Sequence, residues 1–377
     1  MRIAYISYPA FADCDFPLVR SLREAGHDVL YYLVVSPYHC HSTLIDIGNV
    51  MPVYRIMPGT EYHELDRYNT YLRTSSIRIV NLGGKDKLRI FRLWEKLRKE
   101  LKSFSPDVIQ LTHFLPPYGI PIYFSFWGQI SITVHDPIPH MGEDSSWQEK
   151  LRRIGLRYVS SICFLSRNEW LKTQFLKKYK VSENKIHYAG LAPYDVLNFI
   201  ERDKSNYASD FLFVGRISPY KGVDTLLSAM RILRERNIKC KLIIAGAGSL
   251  PIEQDLYKDS DDITIINRYI SVTELVAMIQ DAKYVVCPYK EATQSGVIMS
   301  AFALGRAVIA SRVGDFESVV EEGKNGFLVE ANNPEALADA MERRLCLPIV
   351  RVGKETGAWK HIAEQYVEMY QKTLNKS

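Results

Sequence analysis

"FLFVGRISPYKGVDTLLSAM", residues 211–230, packs an apolar run, a turn and the start of a second apolar run into a short stretch. "FLFV" reads as a strand buried on both faces. Val223, Leu226, Leu227 and Met230 recur at helical spacing. Gly215 permits a tight turn between them, Arg216 and Lys221 put two cations on that turn, and Gly222 precedes the helix. A strand running through a short turn into a helix is half of a βαβ unit. Open parallel sheets bind ligands beyond the carboxyl ends of their strands, which is where this turn lies. Arginine offers a planar fork of donors and lysine a mobile point charge, a pair suited to a diphosphate.

The same rhythm extends in both directions. Downstream come "KLIIAGAG", "ITIINRY", the helix-like "VTELVAMIQDA", "YVVCPY", the helix-like "GVIMSAFALG" and "AVIAS". Upstream stand "RIAYIS", the helix-like "FPLVRSLREAG", then "HDVLYYLVV", "DVIQLT", "SITVHD", "SICFLS" and "KIHYAG". Between the two series, Leu191–Asp210 lapses into a polar connector. The chain of 377 residues is too long for one ordinary core. It is therefore predicted to form two doubly wound α/β domains, residues 1–190 and 206–356, each a parallel sheet covered by helices.

Composition excludes several classes. The chain is 47% apolar and 24% charged, as expected of a globular protein. Its six cysteines (14, 40, 163, 240, 287 and 346) form no C-x-x-C pair, which argues against a zinc site or disulfide framework and suits a reducing cytoplasm. "MRIAYISYPAF" reads as a first strand, not a signal peptide. Between Asp107 and Asp136 there is no charged residue, but Pro116, Pro117, Pro121, Gly119 and Gly128 would break a membrane-spanning helix. Two strands flanking a short turn or helix fit better.

The net charge of +5 is uneven. Residues 1–190 carry 25 Lys and Arg against 18 Asp and Glu, whereas residues 191–377 carry 23 against 25. Basic runs at Lys85–Lys102 and Lys172–Lys180 read first as solvated helix faces, or as attraction to an anionic membrane or a phosphate-bearing acceptor. No nucleic-acid module is recognisable, so that partner is not expected.

A second polar loop follows "YVVCPY". Glu291, Thr293, Gln294 and Ser295 precede Gly296, which opens an apolar helix. Free N–H groups at a helix start can hold phosphate, and the loop can contact sugar oxygens; equally, Ser295 or Thr293 can simply cap the helix.

Together with "LIIAGAG", "ELVAMIQDAKYVVCPYKEATQSGVIMSAFALGRAVIAS" and "VGDFESVVEEGKNGFLVEANNPEALADAM", the opening stretch resembles the nucleotide-sugar domain of the retaining glycosyltransferases of family 4 (group 1). The resemblance covers most of Phe211–Met341. It is weaker in the first half, through "SLREAGHDV", "PDVIQLTHF" and "SITVHDPIPHMG". It implies the GT-B fold, two Rossmann-like domains facing a central cleft, with a terminal helix, about 357–377, returning to the first domain. It implies transfer of a hexose-type sugar from a UDP- or GDP-sugar, with retention, to a hydroxyl of a glycan or lipid-linked glycan, as in surface polysaccharide synthesis.

On that resemblance Arg216 and Lys221 bind the donor diphosphate and stabilise the departing nucleotide. Gly215, Arg268, Thr293, Gln294, Ser295 and Gly296 complete the nucleotide-sugar site, and Glu291 contacts the donor sugar. The family's second glutamate is replaced by Ser300, and the loop "EATQSG" is one residue longer, so ribose must be held by other groups or by water. His135 stands where the family places a histidine near the reacting sugar; His113, Asp136 and His140 are expected on the acceptor side. The first-strand loop "YPAFADCDF" lacks the family's glycines, which implies an unusual acceptor pocket. No Asp-x-Asp pair is recognised at a strand end, so neither metal nor cofactor is expected. A peripheral place at the cytoplasmic membrane face is expected with a lipid-linked acceptor. Two alternatives stay open: a GT-B NDP-sugar epimerase and a non-catalytic sugar-nucleotide-binding subunit.

Overall fold

Short apolar runs became strands and amphipathic stretches became helices. The computed structural model describes residues 1–36, 42–46, 52–138, 146–250, 261–353 and 357–375. The chain divides into two compact units, Met1–Ala192 with Gly357–Ser377, and Pro193–Thr356.

The strands of the first unit are β1 (Arg2–Ser7), β2 (Asp28–Val35), β3 (Arg55–Pro58), β4 (Ile77–Asn81), β5 (Val108–Leu111), β6 (Ile130–Val134), β7 (Ser161–Phe164) and β8 (Ile186–Tyr188). They form one sheet in the order β3-β4-β2-β1-β5-β6-β7-β8. Pairing is parallel except at the β3 edge, which runs antiparallel to β4. The direction of winding reverses between β1 and β5.

Its helices are α1 (Ala12–Glu24), α2 (Lys87–Phe104), α3 (Ile120–Ser125), α4 (Ser146–Tyr158), α5 (Glu169–Tyr179) and, from the end of the chain, α11 (Ala358–Leu374). The uncharged stretch after Asp107 is β5, α3 and β6, and among the described residues no helix is long and apolar enough to cross a membrane. Helix α1 begins at Ala12, ahead of the expected "FPLV", with Asp13 and Asp15 in its first turn.

Alternation along the strands sends opposite residues to opposite faces. Ile109, Leu111, Ile130 and Ile132 join one apolar cluster with Trp94 and Leu97 of α2, Tyr123 of α3, Leu156 of α4 and Phe175 of α5. The intervening Gln110, Ser131, Thr133 and Ser161 are buried but polar, and α11 satisfies them. Tyr370 donates to Gln110 Oε1 at 3.1 Å, Tyr366 and Thr133 share a hydrogen bond at 2.8 Å, and Thr373 bonds Ser161. The returning helix is thus held by matched hydrogen bonds as well as by apolar area.

The second unit has strands β9 (Ser209–Val214), β10 (Leu242–Ala245), β11 (Ile263–Ile266), β12 (Ala282–Cys287), β13 (Val308–Ser311) and β14 (Gly326–Val329). Their order is β11-β10-β9-β12-β13-β14, all parallel. Helices α6 (Val223–Glu235), α7 (Val272–Asp281), α8 (Gly296–Ala303), α9 (Phe316–Val319) and α10 (Pro334–Cys346) cover it. The winding reverses between β9 and β12. Part of the polar connector packs into this unit: Val196 and Leu197 are buried, and Tyr194 N donates to Met299 O at 3.3 Å.

Candidate functional site

The carboxyl ends of β9 and β12 lie side by side at the switch point of the second sheet, the expected crevice for a ligand. Two loops leave them, residues 215–222 and 288–295. Gly222 has φ +68°, and a Cβ there would stand 1.8 Å from Pro288 O. Only glycine permits that approach. Lys290 N donates to Tyr220 O at 2.7 Å, and Lys290 Nζ meets Asp224 Oδ2 at 2.5 Å, so the loops are joined at both backbone and side chain.

Lys221 projects between them. Its Nζ donates to Tyr289 OH at 2.9 Å and sits 4.6 Å from the centre of that ring. Tyr289 is buried and also accepts from Ser295 Oγ at 3.4 Å. Among the described residues no carboxylate pairs with Lys221. Burial holds its ammonium down to about 8, and the charge of Arg216 acts in the same direction. Arg216 is exposed, with Nη2 donating to Tyr220 OH at 3.4 Å. A Cβ on Gly215 would lie 3.5 Å from Lys221 Nζ, so this residue floors the cationic turn.

Ser295 caps α8, accepting from Ile298 N at 3.4 Å. Gly296 is the first residue of that helix, and Thr293, buried beside it, accepts from Asp315 N at 3.2 Å through its carbonyl. The preceding loop is pinned by Gly314 at φ +51°, where a Cβ would stand 1.9 Å from Ala292 O. Glu291 and Gln294 are half-buried on this loop. Beside the Lys290–Asp224 ion pair, the arrangement offers Arg216, Lys221, a capped helix start and the Glu291 carboxylate around the same pair of strand ends.

Two expected members are engaged elsewhere. Ser300 is buried, and its hydroxyl donates to Gly296 O at 2.8 Å, back along its own helix. Arg268 follows the edge strand β11 and is exposed; its Nη2 meets Glu274 Oε1 at 2.6 Å, beside the capping box of α7.

In the first unit His135 directly follows β6. Its ring stacks on Phe11 at 4.2 Å and 23°, and its buried Nε2 makes no hydrogen bond. Burial pushes this imidazole down to about 4; Asp136 opposes that shift and His113 adds to it. His113 is exposed, edge-on to Tyr8 at 5.4 Å, with Nδ1 2.9 Å from Phe114 O. Asp136 is half-buried, and its carbonyl accepts from Arg152 at 3.2 Å. His140 lies outside the described residues.

Sequence reasoning passed over a polar cluster at the switch of the first sheet. Asp15, buried in the first turn of α1, accepts from Tyr5 OH at 2.7 Å, from Tyr31 OH at 3.1 Å and from Ser7, which in turn shares a hydrogen bond with Thr112 at 2.6 Å. Burial raises Asp15 to about 7 and its neighbour Asp13 to about 6. Asp13-Cys14-Asp15 is an Asp-x-Asp triplet, six residues beyond the end of β1, but Asp15 is turned inward onto hydroxyls. Among the described residues no group of three His, Cys, Asp or Glu converges for a metal ion. The sequence signal for this cluster was the pair of acids following a strand end. Tyr289, the partner of Lys221, carried a fainter one, its place just after β12.

Residues 208–346 match the family model described as "Glycosyl transferases group 1". The chain is 31% identical over 176 residues to a D-inositol 3-phosphate glycosyltransferase of Corynebacterium urealyticum, a stretch covering 42% of each protein. It thus spans less than half the length of that relative. The fold is that of GT-B proteins. The catalytic domain of starch synthase IV from Arabidopsis thaliana, bound to ADP and acarbose, superposes with a TM-score of 0.64 at 13% identity, over 100% of this chain and 99% of that one. An Anabaena protein, HepE, in complex with UDP-glucose gives 0.61 at 14%, with the same coverage.

Proposed function

We propose that this protein is a GT-B glycosyltransferase that moves a hexose-type sugar from a UDP- or GDP-sugar to a hydroxyl of a glycan or lipid-linked glycan, with retention. The observation that carries the reading is Lys221, a half-buried ammonium that pairs with no carboxylate among the described residues, beside Arg216 at the β9/β12 switch. A cation kept in so costly a setting is matched by an anion that binds there, and a diphosphate offers several oxygens to two unlike donors. The group 1 match over the same residues and the nucleotide-bound fold neighbours support it.

In the reaction, the bond between the anomeric carbon and the diphosphate breaks while the acceptor oxygen bonds to that carbon. Arg216 and Lys221 stabilise the negative charge gathering on the leaving diphosphate, and a phosphate oxygen takes the acceptor's proton. Ser295, Thr293, Gln294 and the start of α8 hold the donor's polar groups, and Glu291 orients its sugar. Ribose is held without Ser300, whose hydroxyl serves its own helix. His135, neutral because it is buried, orients the sugar through its unsatisfied Nε2. His113 and Asp136 belong to the acceptor side. Neither metal nor cofactor takes part, and the protein works in the cytoplasm.

Thermal shift with UDP, GDP, ADP and their common sugars, on wild type and Arg216→Ala, tests the reading. One nucleotide should stabilise the wild type and lose at least tenfold in affinity in the variant. Released nucleotide should then appear only with acceptor present. No shift with any of them, or sugar epimer formed without acceptor, overturns it.

A further inference from the structure

We infer that the outer face of helices α2, α3 and α4 docks this protein on an anionic lipid bilayer. The exposed charges along these helices are basic, apart from Asp86, the cap of α2, which pairs with Arg89 at 3.3 Å. The exposed residues of α2 include Lys87, Arg89, Arg92, Lys96, Lys99 and Lys102, and those of α4 include Lys150, Arg153 and Arg157. None of the exposed residues described in α2, α3 or α4 is an Asp or Glu. The acids of these helices are drawn in. Glu95 is held by Arg98 at 2.7 Å, Glu100 faces Arg78 at 3.6 Å, and Glu149 meets Arg153 at 3.1 Å and Tyr179 at 2.9 Å.

Large apolar groups stand among these cations. Phe124 is 58% exposed, Trp127 68% and Trp147 55%, with Leu88 and Phe91 also exposed on α2. Tryptophan is rarely left so open in a soluble protein, but its amphipathic ring suits the headgroup zone of a bilayer. The helices form one continuous layer. Arg98 of α2 donates to Ser125 Oγ of α3 at 3.3 Å, and Phe124 and Trp127 both pack edge-on against Tyr158 of α4, at 4.9 and 5.4 Å. Beneath it, Trp94, Leu97 and Leu101 fix α2 to the sheet, so its polar face cannot turn inward.

Basic side chains with interleaved aromatics match an anionic membrane better than a soluble polyanion, which would take the charge and leave the tryptophans in water. Each cation near such a surface contributes roughly a fivefold factor in partitioning. The inference goes beyond the transfer reaction and does not need it, because it rests on a different part of the molecule.

The test is sedimentation of the full chain with phosphatidylcholine vesicles, with and without 30% phosphatidylglycerol, and quenching of its tryptophan fluorescence by brominated lipid. Wild type should bind only the anionic vesicles, be quenched there, and be released by 0.5 M salt. The triple variant Lys96→Glu, Lys99→Glu, Lys102→Glu should lose at least thirtyfold in partitioning, and Phe124→Ser with Trp127→Ser at least threefold. All these positions are exposed, so nucleotide-induced thermal shift should be unchanged in both variants. Equal binding to neutral and anionic vesicles, no binding to either, or tighter binding to heparin with no effect of the aromatic changes overturns the inference. Loss of the nucleotide response in wild type would count against the proposed reaction alone.

Discussion

Lys221→Met should make the ligand-free protein more stable while weakening its nucleotide affinity. The ammonium is held at about 8 against an ordinary value of 10.5. Below pH 8 both folded and unfolded chains carry the charge, and the folded one bears a penalty of about 3 kcal/mol from its loss of water and the nearby Arg216. Methionine removes that penalty but also removes the hydrogen bond to Tyr289, worth about 1 kcal/mol. The net gain is about 2 kcal/mol at pH 7, or roughly 4–8 °C in the melting of a unit of this size. Between pH 8 and 10.5 the unfolded wild type holds more protons than the folded one, so wild-type stability rises through this window relative to the variant. Above it the order reverses, by the lost hydrogen bond. Nucleotide affinity should fall by about 100-fold, as expected for loss of a charge-assisted contact of 1.5–3 kcal/mol. Denaturant unfolding at pH 7, 8.5 and 10 with nucleotide titrations checks both halves. A variant that is less stable at pH 7, with a difference independent of pH, would refute the reasoning.

Gly222→Ala should cost about 3 kcal/mol or more and abolish nucleotide binding, because its methyl group enters the space of Pro288 O at a left-handed φ; circular dichroism melting and thermal shift check it. Asp15→Ala should cost about 2–5 kcal/mol by leaving the hydroxyls of Tyr5 and Tyr31 buried without their acceptor. Because burial raises the Asp15 carboxyl from 3.8 to about 7, the folded state holds more protons in that window, and this group makes stability fall as pH rises through it. Asp15→Asn should flatten that slope in urea titrations between pH 4 and 7.

The alternation of apolar runs with amphipathic stretches sufficed for two parallel α/β sheets, since a strand buried on both faces and a helix buried on one have different periods. It also located the cationic turn, because Gly215, Arg216, Lys221 and Gly222 fall within eight residues that follow a strand directly. The antiparallel β3 edge was not legible: "RIMP" is short and ends in proline. Nor were the partners that turn residues into sites. Lys221 owes its lowered pKa to burial and to the charge of Arg216, and its hydrogen-bond partner Tyr289 lies 68 residues along the chain. Arg268 has the residue type of a phosphate ligand, but Glu274, six residues on, takes its guanidinium. Ser300 stands at a sugar-contacting position by resemblance, but its hydroxyl donates to Gly296 O of its own helix. The sequence by itself determined most of the strands and where a cation could stand, because both follow from local pattern. Only the tertiary structure decided which cation lacks a counter-charge, which acid is drawn inward and which tryptophans face water, because burial and pairing depend on groups that the chain brings together from far apart.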